Sequence, residues 1–406
     1  MKRIQLDDIL LFALLVPFIM TYRLSPGITP YWLFGLVFLG LFCYVGINFI
    51  SLKKIIQEKI KLWLLWFLII STIGTAMLSA IIVRHETAPI YGVHDIILQQ
   101  ESAMQFLLNG TNPYSATYFN TPLKDWHYSD TDVNPALYHF VMEPFYLLFA
   151  YPFYFFTLPV FGFFDSRIPL AFLFLVLIFL ASRLVKDRDL KRQFMILLAF
   201  NPAMLGYFIE GRDDIFMYSF FFLGLFLLYK KRFLIAGIPI ALAFATKQSI
   251  WPFFPFYLAF LYFQNKNILK TIKQLIPFTV TFLIIVLPFF LWNPHAFLAS
   301  TLLYLSGNDP HSYPVAGYGL GSLLHQIGII KNVNAYYPFT IWQVVIALPV
   351  LGLLINLQRK NNSIGKMITF YGLFLFVFWY LSRYFNNSHL GYLSMVFITA
   401  YFWPEE

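Results

Sequence analysis

The sequence predicts an all-α polytopic membrane protein with a single membrane domain over residues 1–406. Of its residues 59% are hydrophobic and 12% charged, and the mean hydropathy is +0.69. A soluble globule of this composition would leave far too much apolar surface in water. Many segments also reach the roughly 20 apolar residues that a helix needs to cross about 30 Å of hydrocarbon.

The apolar segments predict 12 membrane spans. The first predicted span follows a basic N-terminal segment, and no small-residue cleavage site follows it. We therefore expect a retained span and not a removed signal peptide. In chain order the predicted spans are 9–22, 31–50, 62–83, 168–183, 193–209, 214–229, 233–249, 250–263, 274–292, 338–357, 367–382 and 390–403.

The distribution of lysine and arginine predicts which connections face the cytoplasm. Six short segments hold 20 of the 28 basic residues, and the positive-inside rule places them and both termini in the cytoplasm. The net charge of +9 therefore reflects loops between spans, and we expect no nucleic-acid partner. The six segments are 1–3, 51–61, 183–192, 230–232, 264–273 and 358–366.

Each span takes the chain to the other side of the membrane. With the six basic segments in the cytoplasm, residues 136–164 must therefore begin and end outside the cell. Three prolines, Pro144, Pro152 and Pro159, interrupt this apolar region. We interpret it as interfacial or re-entrant helices, or as a hairpin that would raise the count to 14 spans. Two long extracytoplasmic loops then remain, 84–135 and 293–337, and the outer face carries all eight histidines.

The first of these loops contains "HDIILQQESAMQFLLNGTNPY", which begins at His94. Residues 96–108 predict an amphipathic helix on the membrane surface, and Gly110 ends it. Asp95 has two interpretations. It is an N-cap that binds free backbone N–H groups, or it is a general base whose charge is tuned by His94 and Glu101.

Four further positions are candidate substrate-binding sites. In "EGRDD", Arg212, Asp213 and Asp214 could hold a sugar or a phosphate, or an aspartate could cap the next helix. Lys247 and Arg383 end apolar spans and could bind a lipid phosphate or extend toward headgroups. His311 lies in the Gly-, Tyr- and His-rich second loop, which could form a lid.

Several of these stretches resemble the C-type glycosyltransferases, and the mannosyltransferase-like branch in particular. The family pattern of an acidic residue, a helix and G-x-N-P-Y is similar to Asp95 followed by "QQESAMQFLLNGTNPY". In this chain that loop follows the third predicted span, whereas in the family it follows the first. The other similar stretches are "NPALYHFVMEP", "FNPAMLGYFIEGRDDIFMY", "IAGIPIALAFATKQSIWPFFP" and "RYFNNSHLGYL".

The resemblance implies a helical bundle that transfers a hexose from a polyprenyl-phosphate donor to an acceptor hydroxyl on the extracytoplasmic side. The acceptor is a glycan, a lipid or a protein. Asp95 would be the base of an inverting displacement, and Arg212, Lys247 or Arg383 would bind the leaving phosphate. No metal ligands are assigned, and a divalent cation is left open.

Two other functions stay open on the sequence alone. A transporter or flippase would show charges near the bilayer midplane and paired broken helices. A lipid-linked oligosaccharide ligase would depend on the histidines of the second loop and not on Asp95.

Overall fold

The computed structural model describes residues 4–405, and most of them are helical. One short parallel strand pair, β1 (Ala316–Gly317) and β2 (Tyr384–Phe385), joins the second loop to the last turn. The helices are α1 (Leu6–Thr21), α2 (Tyr31–Gly46), α3 (Lys54–Ile69), α4 (Thr75–Thr87), α5 (Asp95–Leu108), α6 (Phe145–Leu148), α7 (Tyr151–Phe161), α8 (Arg167–Leu184), α9 (Arg188–Ala199), α10 (Leu205–Glu210), α11 (Asp214–Tyr229), α12 (Phe233–Phe244), α13 (Phe254–Asn265), α14 (Ile268–Trp292), α15 (Pro294–Leu298), α16 (Tyr304–Ser306), α17 (Leu320–Gln326), α18 (Phe339–Trp342), α19 (Leu348–Lys360), α20 (Ile364–Tyr380) and α21 (Asn387–Phe402).

Within residues 4–405, five helical segments are long and apolar enough to cross a membrane. The all-α membrane class is therefore confirmed, whereas the predicted count of 12 to 14 spans is not and stays a prediction. Four shorter apolar helices cover 145–161, 214–229, 233–244 and 364–380. The five long segments are Tyr31–Phe49, Lys54–Thr87, Arg167–Leu184, Ile268–Trp292 and Phe339–Lys360.

Two predicted spans have different boundaries in the structure. Residues 193–209 are not one helix, because α9 ends at Ala199 and α10 begins at Leu205. Pro202 lies between them and disfavours a continuous helix. Residues 62–83 belong to a longer helix, Lys54–Thr87, in which one wider turn at Ile70–Gly74 joins α3 to α4.

Small residues permit the close packing of α11, α12 and α14 at the centre of the bundle. A Cβ atom at Gly224 on α11 would overlap the side chain of Ile240 on α12. A Cβ atom at Gly237 would lie 3.0 Å from the backbone nitrogen of Phe278 on α14. Helices in membranes gain stability from such close approach of their backbones. This packing positions the ends of α11 and α12, which carry part of the site.

One end of the bundle holds a buried ionic network, the Lys61 cluster, formed by Asp7, Asp8, Lys61 and Arg192. Lys61 Nζ lies 3.0 Å from Asp7 and 2.7 Å from Asp8, and Arg192 Nε donates to Asp7 at 2.6 Å. Two predicted cytoplasmic segments, 51–61 and 183–192, meet the first turn of α1 here. All four side chains are buried, so the cluster joins α1, α3 and α9.

A second buried network joins α4, α5 and α8. Arg84 pairs with both oxygens of Glu101, at 2.9 and 2.7 Å, and also with Asp165 at 2.8 Å. Arg167 donates to Asp165 from the other side, at 2.8 Å. Two arginines thus balance two acids between the middle of α5 and the start of α8, and this balance holds α5 in its orientation.

Candidate functional site

Helix α5 carries Asp95 in its first turn, as the sequence pattern predicted. The cap interpretation of Asp95 is wrong, because His94 occupies the N-cap position and Asp95 is the first helical residue. The predicted membrane-surface face is also corrected. Ile97 and Met104 are fully buried in the protein core, while Leu108 at the end of the helix is exposed. The helix therefore lies within the protein and holds Asp95 on a rigid element.

Both carboxylate oxygens of Asp95 have partners. His94 Nδ1 lies 2.7 Å from Oδ1, and Asn134 Nδ2 donates to Oδ2 at 3.1 Å. The short His94 contact indicates a proton on Nδ1, because two bare acceptors would repel at this distance. The amide N–H of Ile96, 3.3 Å from the same nitrogen, is then only a neighbour.

The electrostatics of this environment keep Asp95 ionised. Burial of Asp95 raises the pKa of its carboxyl, but His94, Asn134 and Arg212 together outweigh burial and hold the pKa below its usual value. Asp95 is therefore a carboxylate at neutral pH. In this form it can accept a proton.

The "EGRDD" turn docks directly on the start of α5. The backbone N–H of His94 donates to the carbonyl oxygen of Glu210 at 2.8 Å. Gly211 adopts φ 92°, and a Cβ atom there would overlap Ile97. Only glycine satisfies both the left-handed backbone and this close approach. The contact brings Arg212 within electrostatic reach of Asp95.

Lys247 joins this turn from the end of α12. Its Nζ lies 3.0 Å from Asp213 Oδ1 and 2.8 Å from Asp214 Oδ1. Lys247 is therefore bound to these aspartates and does not extend to headgroups. Asp213 occupies the N-cap position of α11 but makes no side-chain hydrogen bond there. Asp95, Arg212, Asp213, Asp214 and Lys247 are called the Asp95 cluster below.

The charges of the Asp95 cluster do not balance locally. One lysine faces two carboxylates, and the second carboxylate oxygen of Asp213 is buried without a hydrogen-bond partner. Burial raises the pKa of Asp213, and the neighbouring Asp214 adds to this rise although Lys247 opposes it. The two aspartates and burial act in opposite directions on Lys247, and the aspartates prevail, so its pKa is raised.

Arg212 is the cation of the Asp95 cluster with the fewest polar contacts. Its guanidinium lies over the ring of Tyr207, 4.1 Å from the centroid. The nearest acidic atom, Glu210 Oε2, is 3.7 Å from Nε, which is too far for a hydrogen bond. Nε is buried and has no hydrogen-bond partner. The group therefore has donors available for an anion.

Arg383 is not part of this arrangement, contrary to the sequence hypothesis. Its guanidinium donates to the carbonyl oxygens of Tyr313, Val333 and Ala335 at 2.6, 2.9 and 2.8 Å. Five guanidinium N–H groups that already bind three carbonyls leave little for a phosphate. Arg383 instead anchors the second loop to the final turn.

Glu101 and His311 have partners other than Asp95. Glu101 forms the bidentate pair with Arg84, so it orients α5 and does not tune Asp95. His311 stacks on Tyr138, with ring centroids 3.5 Å apart and an interplanar angle of 1°. His139 and Asp309 form a second contact, at 3.0 Å. Together the two contacts attach the second loop to residues 136–164, which follow the first loop.

Sequence reasoning missed the groups that complete the surroundings of Asp95. Asn134 lies in "NPALYHFVMEP", which stands out in the sequence only by its resemblance to the family. Tyr313 lies near both Tyr128 and Tyr384, with ring centroids 6.2 and 5.5 Å apart. Burial and the charge of Asp95 both raise the pKa of Tyr313. No spacing signal in the sequence joins these residues, because they come from three separate segments.

Comparison with known proteins identifies the family. The family model described as "Glycosyltransferase family 87" matches residues 140–400, which is more than half of the chain. The chain belongs to glycosyltransferase family 87. It is therefore a membrane glycosyltransferase, and the resemblance to glycosyltransferases in the sequence is confirmed. No curated protein and no solved structure matches it.

The matched part of this family 87 enzyme contains Arg212, Asp213, Asp214 and Lys247, whereas Asp95 precedes it. Within residues 4–405 no group of three or more His, Cys, Asp or Glu side chains could hold a metal ion. The divalent cation therefore stays an untested expectation.

Proposed function

We propose that this enzyme transfers a hexose, with mannose the first candidate, from a polyprenyl-phosphate donor to an acceptor hydroxyl on the extracytoplasmic face. Asp95 is the general base, and Arg212 and Lys247 bind the leaving phosphate. The observation that carries the proposal is the guanidinium of Arg212, whose Nε has no hydrogen-bond partner and which lies within electrostatic reach of the ionised Asp95. A base and an unoccupied anion-binding group beside each other match a reaction that expels a phosphate.

In this mechanism the acceptor hydroxyl gives its proton to Asp95 while its oxygen attacks the anomeric carbon of the donor sugar. The bond between that carbon and the phosphate oxygen breaks, and its electron pair leaves with the polyprenyl phosphate. Direct displacement inverts the anomeric centre. Arg212 stabilises the charge that develops on the phosphate, and His94 and Asn134 hold Asp95 in position.

Lys247 has a different part from Arg212, because it is already bound to Asp213 and Asp214. Its pairing holds the "EGRDD" turn against the end of α12. It contributes positive potential to the phosphate position without releasing either aspartate. We expect it to matter for both folding and donor binding.

The test is Asp95→Asn, which keeps the shape and removes the base. In membranes supplied with polyprenyl-phosphate mannose, glucose and galactose, we expect transfer to fall by about 10²- to 10⁴-fold. Asp130→Asn is the matched control, because the side chain of Asp130 lies in the same loop and is 95% exposed. Full activity of Asp95→Asn would remove Asp95 from the mechanism.

The proposed sidedness has its own test. Cys43 is the only cysteine, so a Cys43→Ser background allows single new cysteines to be placed. With Ser129→Cys in the first loop, we expect labelling of intact cells by a membrane-impermeant maleimide. With Ser51→Cys, in the predicted cytoplasmic segment 51–61, we expect labelling only after lysis. The reverse pattern would invert the topology.

A further inference from the structure

A polar cavity in the first loop reaches Asn134, a hydrogen-bond partner of Asp95. It has a volume of about 420 Å³ and is formed mainly by residues 119–134 of the first loop. Asn134 lines it and is also the residue that binds Asp95 Oδ2. Cavities of roughly 300–1,000 Å³ bury drug-sized ligands, and a disaccharide has this size. A ligand here would therefore end next to the catalytic carboxylate.

A second cavity of about 490 Å³ continues the first one along the loop. The two share three lining residues, Phe119, Lys124 and Asp125. The second extends to Pro89 and Ile90. Together they form one groove, called the loop groove below, which is longer than one sugar residue.

The chemistry of the loop groove suits a neutral saccharide. Phe119, Trp126 and Tyr128 offer aromatic faces, on which the C–H faces of sugars pack. Asp125 and Asp132 can accept hydrogen bonds from hydroxyl groups. Two carboxylates against the single lysine, Lys124, disfavour a phosphate or another anion.

Trp126 is fixed in place before any ligand arrives. Its indole N–H donates to the carbonyl oxygen of Val93 at 2.9 Å, and its ring lies 5.8 Å from the ring of His94. The same side chain thus contacts the backbone just before Asp95 and lines the loop groove. A preorganised aromatic side chain lowers the entropy cost of binding.

We propose that the loop groove binds two or more sugar residues of a neutral oligosaccharide acceptor, with the reacting hydroxyl at the Asn134 end. The proposal rests on the proposed function for the role of Asp95, but the groove binds saccharide whether or not transfer occurs. Arg212 and Lys247 are not among the residues that line the loop groove, so the proposed phosphate-binding groups and the proposed acceptor site are formed by different parts of the chain. The aromatic and polar lining favours a saccharide over a protein or a simple lipid as the acceptor.

The experiment measures saccharide binding by saturation-transfer NMR on the full chain in lipid nanodiscs. The probes are mono-, di- and trisaccharides of mannose, glucose and galactose, without donor. We expect binding of at least one di- or trisaccharide, with its monosaccharide weaker, and about tenfold weaker binding to Trp126→Ala. Trp63→Ala is the matched control, since Trp63 is 76% exposed on α3, and it should bind as the unchanged protein does.

The Asp95→Asn variant separates this proposal from the proposed function. We expect it to bind the same saccharide with an affinity within a few-fold of the unchanged protein, although its transfer falls by about 10²- to 10⁴-fold. If no probe binds, or if Trp126→Ala binds as well as Trp63→Ala, the loop groove is not the acceptor site, even when Asp95→Asn is inactive. If saccharide binds in the groove while Asp95→Asn keeps full transfer activity, the proposed mechanism fails and the groove assignment stands.

Discussion

The Lys61 cluster and the Asp95 cluster both bury acids and bases where α-helices meet, yet they differ in how their cations are used. Lys61 and Arg192 each contact carboxylates at hydrogen-bond distance, and Tyr44 and Asn48 donate to Asp7 and Asp8 at 2.7 and 2.6 Å. In the Asp95 cluster, Arg212 makes no such contact. Buried charge by itself therefore does not identify a site.

The difference teaches which feature does identify one. A cluster in which each of two cations contacts a carboxylate at hydrogen-bond distance joins helices and has little capacity for a ligand. A cluster with an ionised base, a free guanidinium and an adjoining cavity can bind and react. The variants in the two clusters each change one of these features, and a buried acid outside both clusters tests the cost of a missing cation.

The largest effect is expected for Lys61→Met in the Lys61 cluster. Removing this cation leaves Asp7 and Asp8 buried beside one remaining base, and breaking a buried pair costs about 3–5 kcal/mol. We expect the unfolding temperature in detergent to drop sharply and expression to fall. Lys59→Met is the control, being a neighbouring lysine without a buried ion pair. Equal stability of the two variants would show that the cluster does not hold the helices.

Glu143 is a buried acid that belongs to neither cluster, and it tests what a missing cation costs. Both its carboxyl oxygens are buried without hydrogen-bond partners, and burial raises its pKa to about 8 although Gln248 opposes the rise. A raised pKa of an acid favours folding below the unfolded-state value of 4.5 and loses that contribution as the pH rises through about 8.

We therefore expect Glu143→Gln to be more stable than the unchanged protein above pH 8. Its free energy of unfolding should be larger by on the order of a few kcal/mol, and its unfolding temperature correspondingly higher. The advantage should disappear near pH 4.5, where the acid is neutral in both states. Thermal unfolding in detergent between pH 5 and 9 measures this. A difference that is independent of pH would mean that Glu143 has a cation partner when folded.

Asp213→Asn should have a smaller effect on stability, within about 1 kcal/mol. Burial and Asp214 already raise the pKa of Asp213, so removal of this charge relieves the excess of carboxylates around Lys247. The counterpart is Asp7→Asn, which leaves Arg192 and Lys61 with one acid fewer and should destabilise more. Unfolding temperatures at pH 7 compare the two. The opposite order would contradict the charge balance described for both clusters.

The sequence was sufficient for the elements of the site but not for its contacts. Periodicity and Gly110 predicted α5, and "EGRDD" and Lys247 were singled out because charges at the ends of apolar spans are unusual. The Lys61 cluster was not foreseen, since Lys61 lies more than 50 positions from Asp7 and Asp8 and 131 from Arg192. Each of these charges looked like an ordinary cytoplasmic loop residue.

Arg383 shows the opposite error. An arginine after an apolar span fits a phosphate site, and nothing local reveals that three carbonyl oxygens of the second loop bind it. Arg212, by contrast, follows a glycine whose positive φ and contact with Ile97 fix its position. Which arginine is free depends on tertiary hydrogen bonds, and these are not encoded in the spacing.

The most direct measurement compares Arg212→Met with Arg192→Met, each assayed for unfolding temperature and for transfer from polyprenyl-phosphate sugar. We expect Arg212→Met to keep its unfolding temperature and to lose about 10²- to 10³-fold in transfer rate. Arg192→Met should lose about 3–5 kcal/mol of stability, while the protein that remains folded transfers at the normal rate. Normal transfer by Arg212→Met would contradict the central claim that the Asp95 cluster, and not the Lys61 cluster, is the catalytic site.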